Sequence, residues 1–112
     1  MRFINFFLNI NIKTKMQGNI YCIKSLTNNN IYIGSTIQPL NVRYAKHRYD
    51  SKHSHRIKPV HKMILETGGF ENYEIKKLKE IKCNTLEELR EYEKKIINDY
   101  RDNDNYFIMN SK

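Results

Sequence analysis

The amino-acid sequence predicts one small domain of mixed α and β structure, and three observations lead to that prediction. The chain has 112 residues and a mass of 13.5 kDa, which suits a single domain with one modest core. Apolar residues make up 39% of it and charged residues 29%, a balance typical of globular proteins. Runs of β-branched and aromatic residues are followed by segments whose apolar residues recur at helical spacing.

The first fifteen residues precede this domain in the sequence. They read MRFINFFLNINIKTK, in which Asn5, Asn9 and Asn11 interrupt the apolar stretch and no small-residue cleavage site follows. This is not the pattern of a signal peptide. We expect either an N-terminal leader or a misassigned start with translation beginning at Met16. The predicted domain therefore covers residues 16–112.

A β-hairpin is the first element that the sequence predicts within the domain. Residues 19–24 (NIYCIK) and 31–33 (IYI) are β-branched and aromatic, and three consecutive asparagines at 28–30 separate them. Such a turn between two such runs is typical of a hairpin. Tyr21 and Tyr32 lie inside the two strands and share a sheet face if the register has the right parity, which the sequence alone leaves open.

Two helices and a third strand are expected next. Pro39 suits the first turn of a helix in which Leu40 and Tyr44 form the apolar stripe. Arg43 and His47 fall one turn apart on the edge of that stripe. A second, short helix begins at Pro59, places Val60, Met63 and Ile64 inward, and ends at the glycine pair 68–69. A third strand follows around residues 73–78.

The last predicted helix carries one unusual carboxylate. Thr85 and Glu88 have the spacing of a capping box, which marks the start of the helix. Its apolar face consists of Leu86, Leu89, Ile96, Ile97 and Tyr100. Glu93 projects close to the middle of that face, where an unpaired charge would cost several kcal/mol. We therefore expect Glu93 to contact an Arg, a Lys or a metal ion; a core ion pair and a carboxylate that reaches solvent are the alternatives.

The charge of the chain predicts a polyanionic partner. Twenty Lys and Arg residues stand against twelve Asp and Glu, which gives a net charge of +8. Such an excess favours nucleic acid first and an anionic membrane surface second. The sequence contains no run of roughly eighteen apolar residues, so we expect no transmembrane helix. It also lacks an amphipathic helix with a cationic face and aromatic anchors, so we expect no membrane partner. The two distant cysteines, Cys22 and Cys83, are expected to be core residues in a reducing, intracellular compartment.

Most of the excess charge lies in residues 43–62. This segment contains seven Lys or Arg residues, all four histidines of the chain and one acid, Asp50. Mobile cations at this density suit phosphate contacts and make binding sensitive to salt. A solvated face of a Lys-rich protein is the alternative. The predicted nucleic-acid-binding residues are Arg43, Lys46, Arg48, Lys52, Arg56, Lys58 and Lys62.

Several reaction classes lack the residues that they need. No Ser-His-Asp arrangement, phosphate-binding P-loop or G-x-G-x-x-G motif is present, so acyl transfer, NTP hydrolysis and dinucleotide chemistry are not supported. His53, His55 and His61 have no Cys or carboxylate companion at the usual spacing of zinc ligands, and no structural zinc site is expected.

The motifs that remain resemble those of one known family. Residues 19–21 read Asn-Ile-Tyr, and residues 32–34, after the Asn-rich turn, read Tyr-Ile-Gly. An Arg and a His follow one turn apart on the next helix, and a Glu lies on the last helix. This order resembles the signature of the GIY-YIG endonuclease family over about residues 18–110. Asn19 replaces the usual Gly of the first motif, with Gly18 one place earlier.

The resemblance implies a fold and a reaction. The fold is an α+β domain with a small three-stranded antiparallel sheet flanked by helices. The reaction is the hydrolysis of a DNA phosphodiester bond with one divalent metal, Mg²⁺ or Mn²⁺, and without another small-molecule cofactor. The implied catalytic residues are Tyr21, Tyr32, Arg43, His47, Glu93 and Asn110.

The resemblance implies a role for five of these six residues. Glu93 holds the metal, Arg43 contacts the scissile phosphate, and Tyr21 is the general base on water. His47 takes the proton of Tyr21, and Tyr32 orients the water or the phosphate. A tyrosine base is demanding because its ordinary pKa is about 10, so the metal, Arg43 and His47 must lower that pKa.

Three points stay open at the level of sequence. Asn110 is the expected closing asparagine of the family, but Asn103 and Asn105 are alternatives. The runner-up function is a catalytically inactive nucleic-acid-binding module with the same fold. The number of copies that associate in solution is undetermined.

Overall fold

A computed structural model describes residues 15–111 of the chain. The expected leader at residues 1–15 therefore lies outside the described residues except for its last residue. A single mixed sheet forms the centre of the described part, with its strands in the spatial order β3-β1-β2-β4. The strands are β1 (Met16–Ser25), β2 (Asn30–Thr36), β3 (Tyr73–Cys83) and β4 (Phe107–Ile108). Both neighbours of β1 run antiparallel to it, as the predicted hairpin and third strand require.

The prediction of a three-stranded antiparallel sheet is wrong in one respect, because the sheet has a fourth strand. The short strand β4 pairs in parallel with the free edge of β2. The Phe107 amide donates to the Asn29 carbonyl at 2.9 Å, and the Met109 amide donates to the Ile31 carbonyl at 2.8 Å. A strand of two residues carries no pattern of its own. It forms because an edge with unpaired backbone groups accepts any segment that returns beside it.

Within residues 15–111, three α-helices cover the sheet: α1 (Leu40–His53), α2 (Pro59–Glu66) and α3 (Leu86–Arg101). The predicted start and stop signals operate at two of them. Gly68 and Gly69, just beyond α2, have φ values of 107° and 77°, which favour glycine. At the start of α3 the Glu88 amide donates to the Thr85 hydroxyl at 3.1 Å. The Asn84 amide donates in turn to the Glu88 carboxylate at 2.7 Å, so a reciprocal cap is present.

The third strand is longer than the sequence predicts, since it extends to Cys83 and pairs with all of β1. Its Lys and Glu side chains weaken the sequence pattern because β3 is an edge strand with many exposed positions. The register between β1 and β3 shifts between Ile20 and Tyr21. Such a bulge changes the direction of a strand locally and is common beside functional sites.

The two faces of the sheet bury different residues. On one face α3 packs against an aliphatic cluster; its buried members are Ile20, Cys22, Ile31, Ile33, Ile81, Cys83 and Leu89. On the other face α1 and α2 pack against a more aromatic cluster; its members are Tyr21, Ile23, Val60, Ile64, Phe70, Tyr73 and Met109. The chain is thus a three-layer α/β/α sandwich, and neighbouring residues of one strand point to opposite layers.

Two sequence expectations concern membranes and cysteines. Among the described residues, none of the helices is long and apolar enough to cross a membrane. Cys22 and Cys83 are free and buried, which confirms their prediction as core residues.

Candidate active site

A hydrogen-bonded group of three side chains lies under α1. The Tyr21 hydroxyl oxygen is 2.8 Å from His47 Nε2 and accepts a hydrogen bond of 3.2 Å from Arg43 Nε. Tyr21 is completely buried and His47 is 2% exposed, whereas Arg43 is partly exposed. The helical spacing of Arg43 and His47 brings both to one side of α1, above the face of β1 that carries Tyr21. The sequence predicted that edge position, and the structure adds the shared oxygen.

The glycine of the second motif makes room for this oxygen. Gly34 lies directly opposite Tyr21 in the β1–β2 ladder. A Cβ atom at Gly34 would be 2.5 Å from the Tyr21 hydroxyl and 2.6 Å from the ring carbon that bears it. Since real Cβ atoms do not approach so closely, any larger residue displaces the tyrosine. The glycine is therefore required for the position of a side chain and not for its own backbone angles.

Tyr32 shares the face of Tyr21, which settles the parity that the sequence left open. Tyr32 pairs with Ile23, and Tyr21 with Gly34, so the two tyrosines are diagonal neighbours. Their ring centroids are 6.5 Å apart, and the His47 ring stands edge-on to Tyr32 at 5.6 Å. The three rings form one aromatic contact group beside Arg43.

His61 is the site residue that the sequence reasoning missed. Its Nε2 atom is 2.8 Å from His47 Nδ1, so His47 contacts Tyr21 with one ring nitrogen and His61 with the other. His61 is 1% exposed, and its Nδ1 atom is buried without a hydrogen-bond partner among the described residues. A signal existed, because His61 lies three residues before Ile64 and therefore on the buried side of α2.

Both buried histidines are held in the neutral form. Burial lowers the pKa of His47 to about 3, and the positive charge of Arg43 acts in the same direction. Burial also lowers the pKa of His61, with the charge of Lys58 adding to the effect and Asp50 opposing it. At neutral pH each imidazole therefore carries one N–H, and each can both donate and accept a hydrogen bond.

The two tyrosines resist ionisation in the protein alone. Burial raises the pKa of Tyr21 above 10, although the hydrogen bond and charge of Arg43 act to lower it. Burial raises the pKa of Tyr32 as well, and the nearby Glu93 carboxylate adds to the rise at both tyrosines. The family resemblance implied that the metal, Arg43 and His47 together lower the pKa of Tyr21. Arg43 does so, but burial outweighs it.

Glu93 approaches the site from the opposite layer. It lies one turn from Leu89 and from Ile97, which pack on the aliphatic face of the sheet. Its carboxylate accepts a hydrogen bond of 2.5 Å from the Ser35 hydroxyl of β2. None of the ion pairs found within residues 15–111 involves Glu93. The described residues therefore do not provide the Arg or Lys that we expected to contact Glu93. One oxygen of the Glu93 carboxylate is left for another ligand.

A groove of about 770 Å³ connects the two layers at the edge of β2. Tyr32 and Glu93 both line it, although they come from opposite faces of the sheet. The remaining lining residues belong to the start of α2, to α3 and to the C-terminal segment: Lys58, Pro59, Val60, Lys94, Ile97, Asn98, Arg101, Met109, Asn110 and Ser111. Three of these carry a positive charge, so the groove suits an anionic ligand.

The residues around Glu93 fit a metal ion that is shared with a ligand. No group of three or more His, Cys, Asp or Glu side chains suited to a metal occurs in the described part of the chain. Mg²⁺ is often bound through one or two carboxylates, with water and phosphate oxygens completing its shell. A single carboxylate fixed through one oxygen by Ser35 meets that requirement, whereas it does not suit a closed zinc site.

The side chain of Asn110 forms the pair of hydrogen bonds that a neighbouring strand would form. Its Oδ1 atom accepts from the Ile33 amide at 2.9 Å, and its Nδ2 donates to the Ile33 carbonyl at 2.7 Å. The side chain thereby continues the pairing of β2 where β4 ends and lines the groove. The alternatives Asn103 and Asn105 are exposed residues of the turn after α3. A catalytic role of Asn110 stays a prediction.

The basic segment lies outside this cluster. Of its seven cations only Arg43 reaches the site; the other six, Lys46, Arg48, Lys52, Arg56, Lys58 and Lys62, are exposed. Lys58 also lines the groove, which links the basic surface to the site. Lys46 pairs with Asp50 at 3.0 Å, so one of the seven charges is compensated locally.

Two viral proteins of Invertebrate iridescent virus 6 are similar to this chain. "Uncharacterized protein 019R" is 36% identical over 86 residues, which are 74% of this chain and 29% of the viral protein. "Putative MSV199 domain-containing protein 146R" is 32% identical over 84 residues, which are 75% of this chain and 34% of that protein. The chain thus spans about a third of the length of these relatives. No solved structure matches the chain significantly.

A comparison with protein families gives a match that covers most of the chain. The model of the GIY-YIG catalytic domain matches residues 17–106, which include both tyrosine motifs, Arg43, His47 and Glu93. The resemblance seen in the sequence is thereby confirmed. With the motif side chains gathered around the inner strands β1 and β2 and the family model matching almost the whole described region, the chain belongs to the GIY-YIG family of nucleases.

Proposed function

We propose that the domain is a metal-dependent endonuclease that hydrolyses phosphodiester bonds in DNA. One observation carries the proposal: Tyr21, Arg43 and His47 meet at a single oxygen, and the neighbouring Tyr32 lines a groove that Glu93 also lines. A base, a cation for phosphate and an oxygen ligand for a metal are the three components that water attack on a phosphodiester requires.

Arg43 is suited to bind the scissile phosphate. It uses Nε for Tyr21, and no hydrogen bond among the described residues engages its two terminal nitrogens. Those nitrogens form the fork that binds two phosphate oxygens at once and stabilises the negative charge that grows during attack. Because the same guanidinium touches Tyr21, phosphate binding places the reacting phosphorus next to the base.

Tyr21 is the proposed general base, and Tyr32 the proposed positioning group for water or phosphate. Tyr21 takes a proton from the attacking water after its own proton has passed to His47 Nε2, 2.8 Å away. The Arg43 hydrogen bond stabilises the resulting tyrosinate. Buried rings around the oxygen exclude bulk water, which strengthens these interactions.

Glu93, oriented by Ser35, would hold Mg²⁺ or Mn²⁺. When bound, such an ion supplies a Lewis acid that stabilises negative charge on phosphate and leaving-group oxygens. The Ser35 hydrogen bond fixes the carboxylate, and fixed ligands bind a metal more tightly than mobile ones.

The DNA backbone is proposed to follow the groove and the exposed cations of residues 46–62. Lys58 belongs to both surfaces, and Lys94 and Arg101 continue the positive charge along α3. Such contacts to phosphate position the duplex without reading its sequence. We therefore expect binding that weakens steeply with salt.

A plasmid-nicking assay tests the proposal. Supercoiled DNA is incubated with the protein and Mg²⁺ or Mn²⁺, and in parallel with EDTA. We expect metal-dependent conversion to nicked or linear DNA, and a loss of about 10²–10³-fold in rate for Arg43→Ala and for Glu93→Ala. Glu91→Ala is the matched control, since Glu91 is an exposed carboxylate of the same helix and pairs with Lys94.

Two results would contradict the proposal. If the wild-type protein cleaved DNA at an undiminished rate in EDTA, the proposed metal requirement would be wrong. Salt-sensitive DNA binding without cleavage of any plasmid or branched substrate would favour the inactive nucleic-acid-binding module instead, with Glu93 serving only to join α3 to β2 through Ser35.

A further inference from the structure

Three buried side chains form a continuous hydrogen-bonded row that leads away from the site. The Tyr21 hydroxyl is 2.8 Å from His47 Nε2, and His47 Nδ1 is 2.8 Å from His61 Nε2. The row crosses from β1 through α1 to α2, and all three residues are at most 2% exposed. Within the described residues, His61 does not line the groove and its ring hydrogen-bonds to His47 and not to Tyr21, so any influence on the reaction passes through His47.

Counting hydrogens along the row assigns the resting tautomers. If Tyr21 donates to His47 Nε2, then His47 Nδ1–H donates to His61 Nε2, and one donor, His61 Nδ1–H, is unpaired. In the reverse arrangement His47 Nε2–H donates to a Tyr21 oxygen that already accepts from Arg43. The Tyr21 O–H and the His61 Nδ1 lone pair then both lack partners. Since unpaired buried groups are costly, the first arrangement is favoured.

We propose that His61 is the terminal proton acceptor of a Tyr21–His47–His61 relay, an inference that rests on the proposed nuclease function. Two protons move in the same direction: the Tyr21 O–H proton passes to His47 Nε2, and the His47 Nδ1–H proton passes to His61 Nε2. Tyr21 becomes a tyrosinate, His47 stays neutral in its other tautomer, and His61 becomes an imidazolium. The tyrosinate then accepts two hydrogen bonds, from Arg43 Nε and from His47 Nε2–H, and is ready to take a proton from water.

The charges around the row favour placing the transferred proton on His61 over placing it on His47. Arg43 lies on the same helix as His47 and contacts the same Tyr21 oxygen, so a cation on His47 would face another cation directly. His61 is one imidazole farther from that guanidinium. The charged groups that act on His61 are Asp50 and Arg43 of α1 and Lys58 before α2, and the Phe70 ring faces it from the turn before β3. Asp50 favours the imidazolium, whereas Lys58 and Arg43 oppose it.

The tautomers can be measured without any cleavage assay. In ¹⁵N-labelled wild-type protein at neutral pH, two-bond ¹⁵N–¹H correlation spectra distinguish Nδ1–H from Nε2–H imidazoles. We expect both His47 and His61 to be Nδ1–H tautomers. His47 found as the Nε2–H tautomer would overturn the relay, because its Nε2 could not then accept the proton of Tyr21. This result stands whether or not the domain cleaves DNA, so it separates failure of the relay from failure of the proposed function.

A pH profile of cleavage tests the role of the relay in the reaction. Glutamine at position 61 can still accept a hydrogen bond from His47 Nδ1–H through its amide oxygen but cannot take up a proton. For His61→Gln we expect single-turnover cleavage at pH 7 to fall by about 10²-fold, with DNA affinity and metal requirement unchanged. The wild-type rate should level off once His61 is neutral, whereas the variant rate should keep rising with pH because hydroxide must remove the Tyr21 proton.

Controls separate this role from packing. His55→Gln alters an exposed histidine of the same segment and should leave rate and pH profile unchanged. A folded His61→Gln protein with the wild-type rate and profile would overturn the relay. So would an equal loss at every pH, since that result indicates a packing defect. If His61→Gln does not fold, the tautomers measured in the wild-type protein decide whether the relay is correct.

Discussion

The two faces of the central sheet contrast in chemistry although they are made by the same strands. Beneath α3, Ile20, Ile33 and Leu89 form a cluster of hydrocarbon side chains. Beneath α1 and α2, the same strands present Tyr21 and Tyr32 to two buried histidines. Ile20 and Tyr21 are adjacent in sequence and both completely buried, yet one contributes only packing and the other a reactive oxygen.

This difference shows how a domain of about a hundred residues can hold a polar site without losing its core. The alternation of a strand lets one face supply apolar burial while the other supplies polar groups. Aromatic and imidazole rings reduce the conflict further, because they bury large apolar areas and hydrogen-bond at their edges. The polar face is therefore packed as well as reactive.

Glu93 is the exception that joins the two faces. It belongs to the helix of the aliphatic layer, but Ser35 directs its carboxylate to the groove at the edge of β2. Variants on each side of the sheet can test how far function and stability are separated.

The largest effect is expected from Tyr21→Phe, which removes only the oxygen at the centre of the polar face. Single-turnover cleavage should fall by about 10²–10⁴-fold, the usual contribution of a general base. Tyr32→Phe should cost only about tenfold, because its hydroxyl makes no hydrogen bond to the described residues. Rates of cleavage of supercoiled plasmid measure both. Equal losses for the two variants would contradict the separate roles proposed for them.

Leu89→Ala should destabilise the protein through the aliphatic face of the sheet. Leu89 is 1% exposed and fills the space above Gly18, whose added Cβ would lie 2.6 Å from Leu89 Cδ2. We expect the free energy of unfolding to fall by about 2–5 kcal/mol, as for other buried leucines. Urea denaturation measures the change, and Leu86→Ala, at a residue that is 42% exposed, is the control. A rate of cleavage by folded Leu89→Ala far below wild type would show that the two faces are coupled.

The smallest expected effect is on the pH dependence of stability. The buried histidines of the polar face should lower the free energy of unfolding at acid pH. The pKa of His47 is near 3 in the folded protein against 6.5 in the unfolded chain, and the pKa of His61 is also lowered. Below pH 6.5 the unfolded chain therefore binds protons that the folded protein does not. Each histidine should reduce the unfolding free energy by up to about 1.4 kcal/mol per pH unit.

Urea midpoints between pH 8 and pH 5 measure this slope. In His61→Gln the slope should decrease, whereas His55→Gln should keep the wild-type slope because His55 is exposed. A stability that rises as the pH falls from 7 to 5 would show that the buried histidines become charged in the folded state.

Local signals in the sequence were sufficient for most of the fold. The asparagine turn, the proline and glycine pair around α2 and the Thr85 cap specify where elements begin and end through backbone geometry that is local to each segment. The strand β4 could not be predicted, because its pairing depends on an edge more than seventy residues away in sequence. The extent of β3 was underestimated for a related reason, since an exposed edge strand tolerates charged residues.

For the candidate site too, part could be predicted from the sequence and part could not. The sequence by itself determined the residue types and their order: the two tyrosine motifs, Arg43 and His47 at helical spacing, and a carboxylate on an apolar face. Only the tertiary structure decided which atoms meet: Gly34 against the Tyr21 oxygen, Ser35 on Glu93, and His61 on His47. Helical and strand periods fix directions within one element. Contacts between elements depend on register and packing, which no single segment encodes.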